Sequence, residues 1–207
     1  MYTRLNEAET SFKKDILFLG SSHTYRGFDT ELFEAQGISS FNLGSSGQTP
    51  DVTNLLLNRY LSTLDPDVVI YEVYPQTIFN QSIGSRIDLI SNSKIVHFDF
   101  LKFSDYGMTE INSKILAFWH NIRYPDFSEK NVKGDDIYVS GGYVRNSKKR
   151  IKIDDVNEPL SVDLQNKGFD YFIKNIELLK RFNKEIILVY APLPSDTYER
   201  YIQNTEI

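Results

Sequence analysis

The residues best suited to chemistry lie in the stretch ILFLGSSHT, residues 16–24, where an apolar run ends in Gly20 and is followed by Ser21, Ser22 and His23. A serine at the end of a buried strand can turn its hydroxyl towards a ligand. Hydroxyls are weak nucleophiles at neutral pH, so acyl transfer needs a base and hydrogen-bond donors for the oxyanion that develops. Three interpretations are open: an ordinary strand exit, a phosphate cradle, and a nucleophile at the edge of a sheet.

Several common motifs are excluded for this stretch. A P-loop needs a second glycine followed by Lys and Ser or Thr, whereas Thr24, Tyr25 and Arg26 occupy that region. The dinucleotide fingerprint GxGxxG is missing, and Thr24 stands where the GxSxG elbow has its last glycine. Phosphate binding by backbone amides alone stays open.

A second stretch, FNLGSSGQTP (residues 41–50), supplies candidate oxyanion donors. Its glycines, Gly44 and Gly47, precede a predicted helix and allow backbone N–H groups to approach a negative charge closely. Either stretch alone is typical of a tight strand-to-helix turn. Together they are more specific, because the predicted fold brings both to one edge. A weaker alternative is an anion-binding domain that uses the loop of residues 44–49 at a helix N-terminus.

Hydrophobic patterns predict the elements that position these loops. Short apolar runs predict buried strands, and helical periodicity with capping residues predicts helices. The predicted strands cover residues 15–20, 38–43, 67–74 and 185–191, and the predicted helices cover residues 28–36, 50–64 and 162–182. This alternation predicts a flavodoxin-like three-layer α/β/α sandwich with a parallel sheet. Ligands of such sheets bind beyond the strand carboxyl ends, where residues 20–22, 44–49 and 72–76 fall.

The chain is predicted to form a single domain over residues 1–207, with residues 77–160 as an insertion. This segment breaks the strand–helix rhythm and is predicted to hold a helix over residues 109–121 and a hairpin around Gly141 and Gly142. Large loops at the ligand-binding edge of a sheet are often functional, so we expect the insertion to roof the site.

Composition excludes some partners and cofactors. The net charge of −5 and pI of about 5.3 argue against nucleic-acid binding, which needs a basic face. The sequence has no cysteine and therefore no disulfide or thiolate metal site. The basic run at residues 148–150 is expected to be a solvated loop, and the acidic pairs at 135–136 and 154–155 lack the ordered spacing of a metal site. No cofactor is predicted.

No apolar run approaches the length of a membrane span, so membrane association is expected only through segments absent from this sequence.

The stretches DILFLGSSHT and NLGSSGQT together resemble blocks I and II of the SGNH hydrolases, also called GDSL-like lipases and acylhydrolases. The resemblance implies that Ser22 is the nucleophile, that Ser21 stands where the family often has Asp, and that the amides of Ser22 and Gly47 form the oxyanion hole. The GSS form is similar to an envelope-associated branch that acts in teichoic-acid D-alanylation and polysaccharide acetylation. The family resemblance implies that the chain is a serine ester hydrolase or O-acyltransferase that acts on a small acyl ester. It further implies a cell-envelope glycan as candidate substrate and a location in the cell envelope or outside the cytoplasm.

The sequence departs from that family after the third predicted strand. The family places an Asn there to complete the oxyanion hole, whereas this chain reads VVIYEVYPQT. Glu72, Tyr74 or Gln76 could line the site instead, and Tyr74 or Gln76 could donate a hydrogen bond. Satisfied edge residues are an equally good interpretation of Glu72 and Tyr74.

The larger departure concerns the base, because the family's C-terminal D-x-x-H is not present. The histidines are His23, His97 and His120, and none lies in such a motif. His23 adjoins Ser22, but neighbours on one turn usually diverge, so His23 is not expected to be the base. Ser21 and His23 are instead further candidates to line the site. His97 and His120 are expected at the surface or in packing roles. We therefore expect a catalytic His from outside this chain, and a C-terminally incomplete domain. The competing class is a non-catalytic, SGNH-like protein for glycan binding or assembly.

Overall fold

The computed structural model describes residues 1–79, 83–94, 107–124, 127, 131–146 and 166–192. The strands are β1 (Ile16–Leu19), β2 (Ser40–Asn42), β3 (Val68–Glu72), β4 (Val132–Lys133), β5 (Asp136–Val139), β6 (Tyr143–Asn146) and β7 (Glu185–Val189). The helices are α1 (Tyr2–Thr10), α2 (Ser22–Gly27), α3 (Thr30–Glu34), α4 (Pro50–Leu64), α5 (Pro75–Phe79), α6 (Ile83–Ser91), α7 (Met108–Arg123) and α8 (Lys167–Arg181).

The centre of the protein is a parallel sheet in which the described strands follow the order β2-β1-β3-β7. Its register places Ile16 of β1 beside Ser40 of β2 and Val68 of β3, and Val68 beside Glu185 of β7. All of these pairings are parallel, so each connection has to cross over the sheet. The sheet therefore confirms the predicted α/β class.

Helices cover both faces of the sheet. On one face α4 and α8 pack together, and their apolar side chains meet those of the strands in a single buried core. The residues that the strands and their ends contribute to this core are Leu17, Leu19, Phe41, Leu43, Val69 and Tyr71. On the opposite face Phe18 stacks on Phe28 at 4.6 Å and lies 5.1 Å from Phe33, which belong to the α2–α3 segment. The sheet therefore lies between two helical layers, as the predicted three-layer sandwich requires.

The predicted elements agree with the structure in position, and their ends differ by a few residues. Helix α4 has the predicted bounds, with Pro50 in its first turn. Asp29 caps α3 by accepting a hydrogen bond from the Glu31 N–H at 3.0 Å. Asn166 caps α8 in the same way through the Gly168 N–H at 2.7 Å, so α8 starts later than predicted; residues 162–165 lie outside the described residues.

The described part of the insertion forms helices and a small antiparallel sheet. Helix α7 covers the predicted 109–121 segment, and β5 and β6 form the hairpin whose turn contains Gly141 and Gly142. The carbonyl oxygen of Gly141 accepts a hydrogen bond from the Asn42 N–H at 2.6 Å, so this turn lies at the end of edge strand β2. Gly142 has φ +94 and packs so closely on the Asn42 carbonyl that a side chain would not fit.

Candidate functional site

The carboxyl ends of β1 and β3 form the switch point of the sheet. The chain leaves β1 for β2 on one side of it, and then returns across β1 to build β3 on the other side. The crevice between two such neighbouring strands is where open α/β sheets bind ligands. Here it is bordered by Ser21, Ser22 and His23 after β1 and by Glu72 at the end of β3.

The Glu72 carboxylate is the centre of a hydrogen-bond cluster. Its side chain is only 2% exposed. It accepts hydrogen bonds from the Ser21 N–H at 2.6 Å, the Ser21 hydroxyl at 3.0 Å and the Thr24 hydroxyl at 3.1 Å. Nδ1 of His23 lies 2.8 Å from its Oε1 and must be the donor, because a carboxylate only accepts. This many donors can hold a buried carboxylate in its charged form.

The pKa values of the pair follow from this geometry. Burial pushes the pKa of Glu72 up, but the hydrogen bonds from His23 and Ser21 outweigh it, so the pKa lies below its ordinary value. The hydrogen bond to Glu72 raises the pKa of His23 against the opposing effect of partial burial. Both shifts favour the ion pair.

Gly20 allows the Glu72 side chain to lie close to the turn after β1. It has φ +144, and a side chain at this position would collide with the Thr24 hydroxyl and with the Glu72 side chain. The glycine that ends the apolar run is therefore required both by its backbone conformation and by the space that Glu72 occupies.

The two serines of the turn have different surroundings. Ser21 is 3% exposed; its hydroxyl donates to Glu72 and accepts from the His23 N–H at 3.3 Å, which caps α2. Ser22 is half-buried, and its hydroxyl has no hydrogen-bond partner within the described residues. Of the two hydroxyls, only that of Ser21 is engaged within the described residues, and the role of Ser22 stays a prediction.

His23 presents its other nitrogen to solvent. Its side chain is 41% exposed, and Nε2 forms no hydrogen bond with the described part of the chain. The ring also meets Tyr74 edge to face, with 4.8 Å between ring centroids. The Tyr74 hydroxyl donates to Oε1 of Gln76 at 2.8 Å. Of the residues predicted to line the site, Ser21, His23, Glu72 and Tyr74 are therefore in contact, and Gln76 joins them through Tyr74.

The loop after β2 is joined to the loop after β1. The Ser45 N–H donates to the Gly20 carbonyl at 3.1 Å, and Asn42 links the two segments by donating to the Thr24 carbonyl at 3.0 Å. Gly47 follows in an exposed turn with φ +57. The two predicted stretches thus lie side by side, and the role of the Gly47 amide stays a prediction.

The remaining predicted residues have other surroundings. His120 lies on α7 with its ring against Tyr124 and Phe127, at 5.2 and 5.1 Å. His97, the basic run at 148–150 and the acidic pair at 154–155 lie outside the described residues. Asp136 forms a two-pronged ion pair with Arg26, both contacts 2.8 Å, which holds the pKa of this carboxyl at about 2. Within the described ranges no group of three or more acidic or His side chains could hold a metal ion.

Some features of the site could not be read from sequence patterns. The sequence interpretation left Glu72 between a site residue and a satisfied edge residue; its position in an apolar strand was the signal, because a buried charge needs partners. Thr24 and Arg4 were missed. A cavity of about 210 Å³ lies beside the two loops and is lined by Arg4, Tyr25, Ser45, Ser46, Asp88 and Tyr138, among others. It is next to the Ser22 turn and not part of it.

Comparison with known proteins does not identify a family for this chain. No protein-family model matches the chain, and no curated protein matches it significantly. Among solved structures, a "putative acylhydrolase" from Bacteroides fragilis is 15% identical, with 86% of this chain and 95% of that chain covered and a TM-score of 0.31. A likeness of this size carries no information about the chemistry of this chain.

Proposed function

We propose that the chain is a serine-dependent ester hydrolase or O-acyltransferase acting on a small acyl ester, with Ser22 as the nucleophile. The observation that carries this proposal is the difference between the two serines at the switch point. Ser21 is committed to Glu72 and to the cap of α2, whereas the Ser22 hydroxyl has no partner among the described residues and stands at the ligand-binding edge.

The reaction would run through an acyl-serine. Ser22 Oγ attacks the ester carbonyl carbon, and the backbone amides of Ser22 and Gly47 are the proposed donors to the oxyanion. Collapse of the tetrahedral intermediate breaks the bond to the alcohol oxygen, which takes up the proton that Ser22 lost. Water then releases the acid, or the hydroxyl of an acceptor takes the acyl group. A glycan as acceptor rests on the family resemblance alone.

The proton acceptor proposed within the described residues is the His23–Glu72 pair. Glu72 holds Nδ1 at 2.8 Å and favours the tautomer whose Nε2 can accept a proton. The adjacency of His23 to Ser22 argued against this role, but the sequence did not reveal a carboxylate fixed to the ring. A histidine from outside the chain is the alternative, and labelling of the His23→Gln variant tests whether His23 has this role.

A non-catalytic binding protein is the second candidate. One observation favours it: within the described residues no hydrogen bond joins the Ser22 hydroxyl to an imidazole. A hydroxyl without an activated partner would bind a ligand and leave it unchanged.

Labelling with a fluorophosphonate tests the proposal. The Ser22 hydroxyl should displace fluoride and acquire the phosphonyl group, which mass spectrometry locates at residue 22, and the protein should hydrolyse p-nitrophenyl acetate. Ser22→Ala should abolish both signals. Ser46→Ala is the matched control, because Ser46 is an exposed serine of the adjoining loop and should not matter. A folded protein that is not labelled would contradict the proposal in favour of the binding role. Equal labelling of Ser22→Ala would also contradict it, because the nucleophile would then be another residue.

A further inference from the structure

Helix α7 packs on the protein through a side that combines the small apolar Ala117 with polar residues. Its buried side chains are Glu110 and Ala117, which face the α6 region together with the half-buried Asn121. Asn121 donates to the Ser93 carbonyl at 3.1 Å, and Glu110 lies 3.9 Å from the Arg86 guanidinium. Polar contacts therefore fix which side of α7 faces inwards.

The opposite side of α7 is apolar and exposed. Seven apolar side chains are between 40% and 76% exposed: Met108, Ile111, Ile115, Leu116, Phe118, Trp119 and Ile122. At about 100° per residue, six of these fall within one arc of about 100°, and Leu116 widens it to about 160°. These seven residues are named the apolar face. A surface helix normally has the reverse arrangement, and a contiguous exposed apolar patch marks an interaction site.

The charges of α7 indicate what this surface binds. The single acidic residue of the helix, Glu110, is buried against Arg86. The other ionised side chains, Lys114 and Arg123, are cationic, in a protein whose net charge is −5. Trp119 and Tyr124, exposed near the C-terminal end, are residues that favour the boundary between lipid and water. Apolar and aromatic side chains beside cations are typical of a helix lying in an anionic membrane surface.

We propose that α7 binds the surface of an anionic lipid bilayer, with the apolar face defined above inserted between the headgroups. Along the described residues no helix has both the length and the apolar character to cross a bilayer. Because only one side of α7 is apolar and exposed, the helix would lie in the plane of the membrane. From Met108 to Ile122 the apolar face is roughly 21 Å long at 1.5 Å per residue. The membrane would then be contacted by this chain itself, through a helix of the insertion.

The single tryptophan of the sequence reports on this contact directly, because Trp119 lies in the apolar face. The test uses vesicles of equal parts phosphatidylcholine and phosphatidylglycerol, and vesicles of phosphatidylcholine alone. The anionic vesicles should shift Trp119 emission to the blue and sediment the protein, with weaker binding at high salt. The neutral vesicles should bind at least about tenfold less.

Two variants and a matched control keep the test specific. Ile115→Ser with Leu116→Ser retains Trp119 as the reporter and should lower vesicle partitioning about tenfold or more. Arg123→Gln should reduce the preference for anionic vesicles. Phe12→Ser with Leu32→Ser is the control, because both residues are large, apolar and exposed but lie elsewhere, at 83% and 67%; its partitioning should equal that of the unaltered protein.

Three results would overturn the proposal. The first is the lack of both a blue shift and sedimentation with anionic vesicles. The second is vesicle binding that the Ile115→Ser and Leu116→Ser changes leave untouched. The third is a concentration-dependent blue shift without lipid, together with a dimer in sedimentation velocity that the same changes abolish, which would assign the face to a second copy of this chain.

Discussion

At the scale of the residue, one buried carboxylate determines what each side chain around it can do. The carboxylate oxygens of Glu72 accept hydrogen bonds from Ser21, Thr24 and His23. The serine that it binds becomes part of the turn, and the serine that it does not bind, Ser22, is the proposed nucleophile. The choice of Ser22 over Ser21, made from motif position, stays a prediction. It agrees with the observation that the Ser21 hydroxyl is already bonded to Glu72 and to the His23 N–H.

The first prediction concerns His23 as proton acceptor. Replacing His23 by Gln should slow fluorophosphonate labelling of Ser22 about 10²-fold or more. In the unaltered protein the labelling rate should rise with pH through the pKa of His23, which lies above its ordinary value of about 6.5, because only the neutral imidazole accepts a proton. His120→Gln, on α7, should change nothing. An unchanged rate in His23→Gln would exclude His23 as the base and leave Ser22 as nucleophile.

The second prediction concerns stability and pH. Folding lowers the pKa of Glu72, so its contribution is complete above its unfolded value and is lost as pH falls through the folded one. Folding raises the pKa of His23, so its contribution is complete below its unfolded value and is lost as pH rises through the folded one. The two overlap fully between about pH 4.5 and 6.5.

Urea unfolding at several pH values measures this effect. The difference in free energy of unfolding between the unaltered protein and His23→Gln should be largest within that window and should shrink on both sides. A difference independent of pH would show that the ion pair does not contribute to stability.

At the scale of the element, the strands and the long helices could be predicted because burial leaves a pattern. The apolar strands and the period of α4 are visible in the sequence, and Pro50 marks the start of that helix. Helix α2 could not be predicted, since six residues are too few to show a helical period. Helix α1 was not predicted for another reason. Its buried side combines Leu5 and Ala8 with the charged Arg4, so the sequence shows no apolar helical period there.

The turn from β1 to α2 gives the third prediction. Gly20→Ala should lower the free energy of unfolding by about 1–3 kcal/mol or more, because the new side chain adds strain at positive φ and displaces Glu72. It should also lower labelling at Ser22. Gly27→Ala is the matched control at the other end of α2, where an added side chain meets nothing within 4 Å; it should be neutral or slightly stabilising. Equal urea midpoints for the two variants would contradict the requirement for glycine at position 20.

At the scale of the whole molecule, the small antiparallel sheet is attached to the parallel sheet through its hairpin turn. The Thr30 hydroxyl donates to the Ser140 carbonyl at 2.8 Å, and Glu7 of α1 accepts hydrogen bonds from the Gly141 N–H and the Tyr138 hydroxyl. These contacts join segments more than a hundred residues apart in sequence. No local pattern encodes them, which is why the hairpin itself could be predicted and its position could not.

Arg4 is the side chain that holds this arrangement together, and it gives the last prediction. It is 3% exposed and donates to the carbonyls of Gly44, in the loop after β2, and of Gly142, in the hairpin turn. Arg4→Met should leave both buried carbonyls without these donors and cost about 2–4 kcal/mol of unfolding free energy. Hydrogen exchange of the Asn42 N–H, which donates to Gly141, should accelerate as the turn loosens. Arg145→Met is the control, because Arg145 links the same hairpin to α3 from the exposed side and should change stability far less. If both variants unfolded at the same urea concentration, the hairpin would be held by its surface contacts, and the loop that carries Gly47 would not depend on Arg4 for its position.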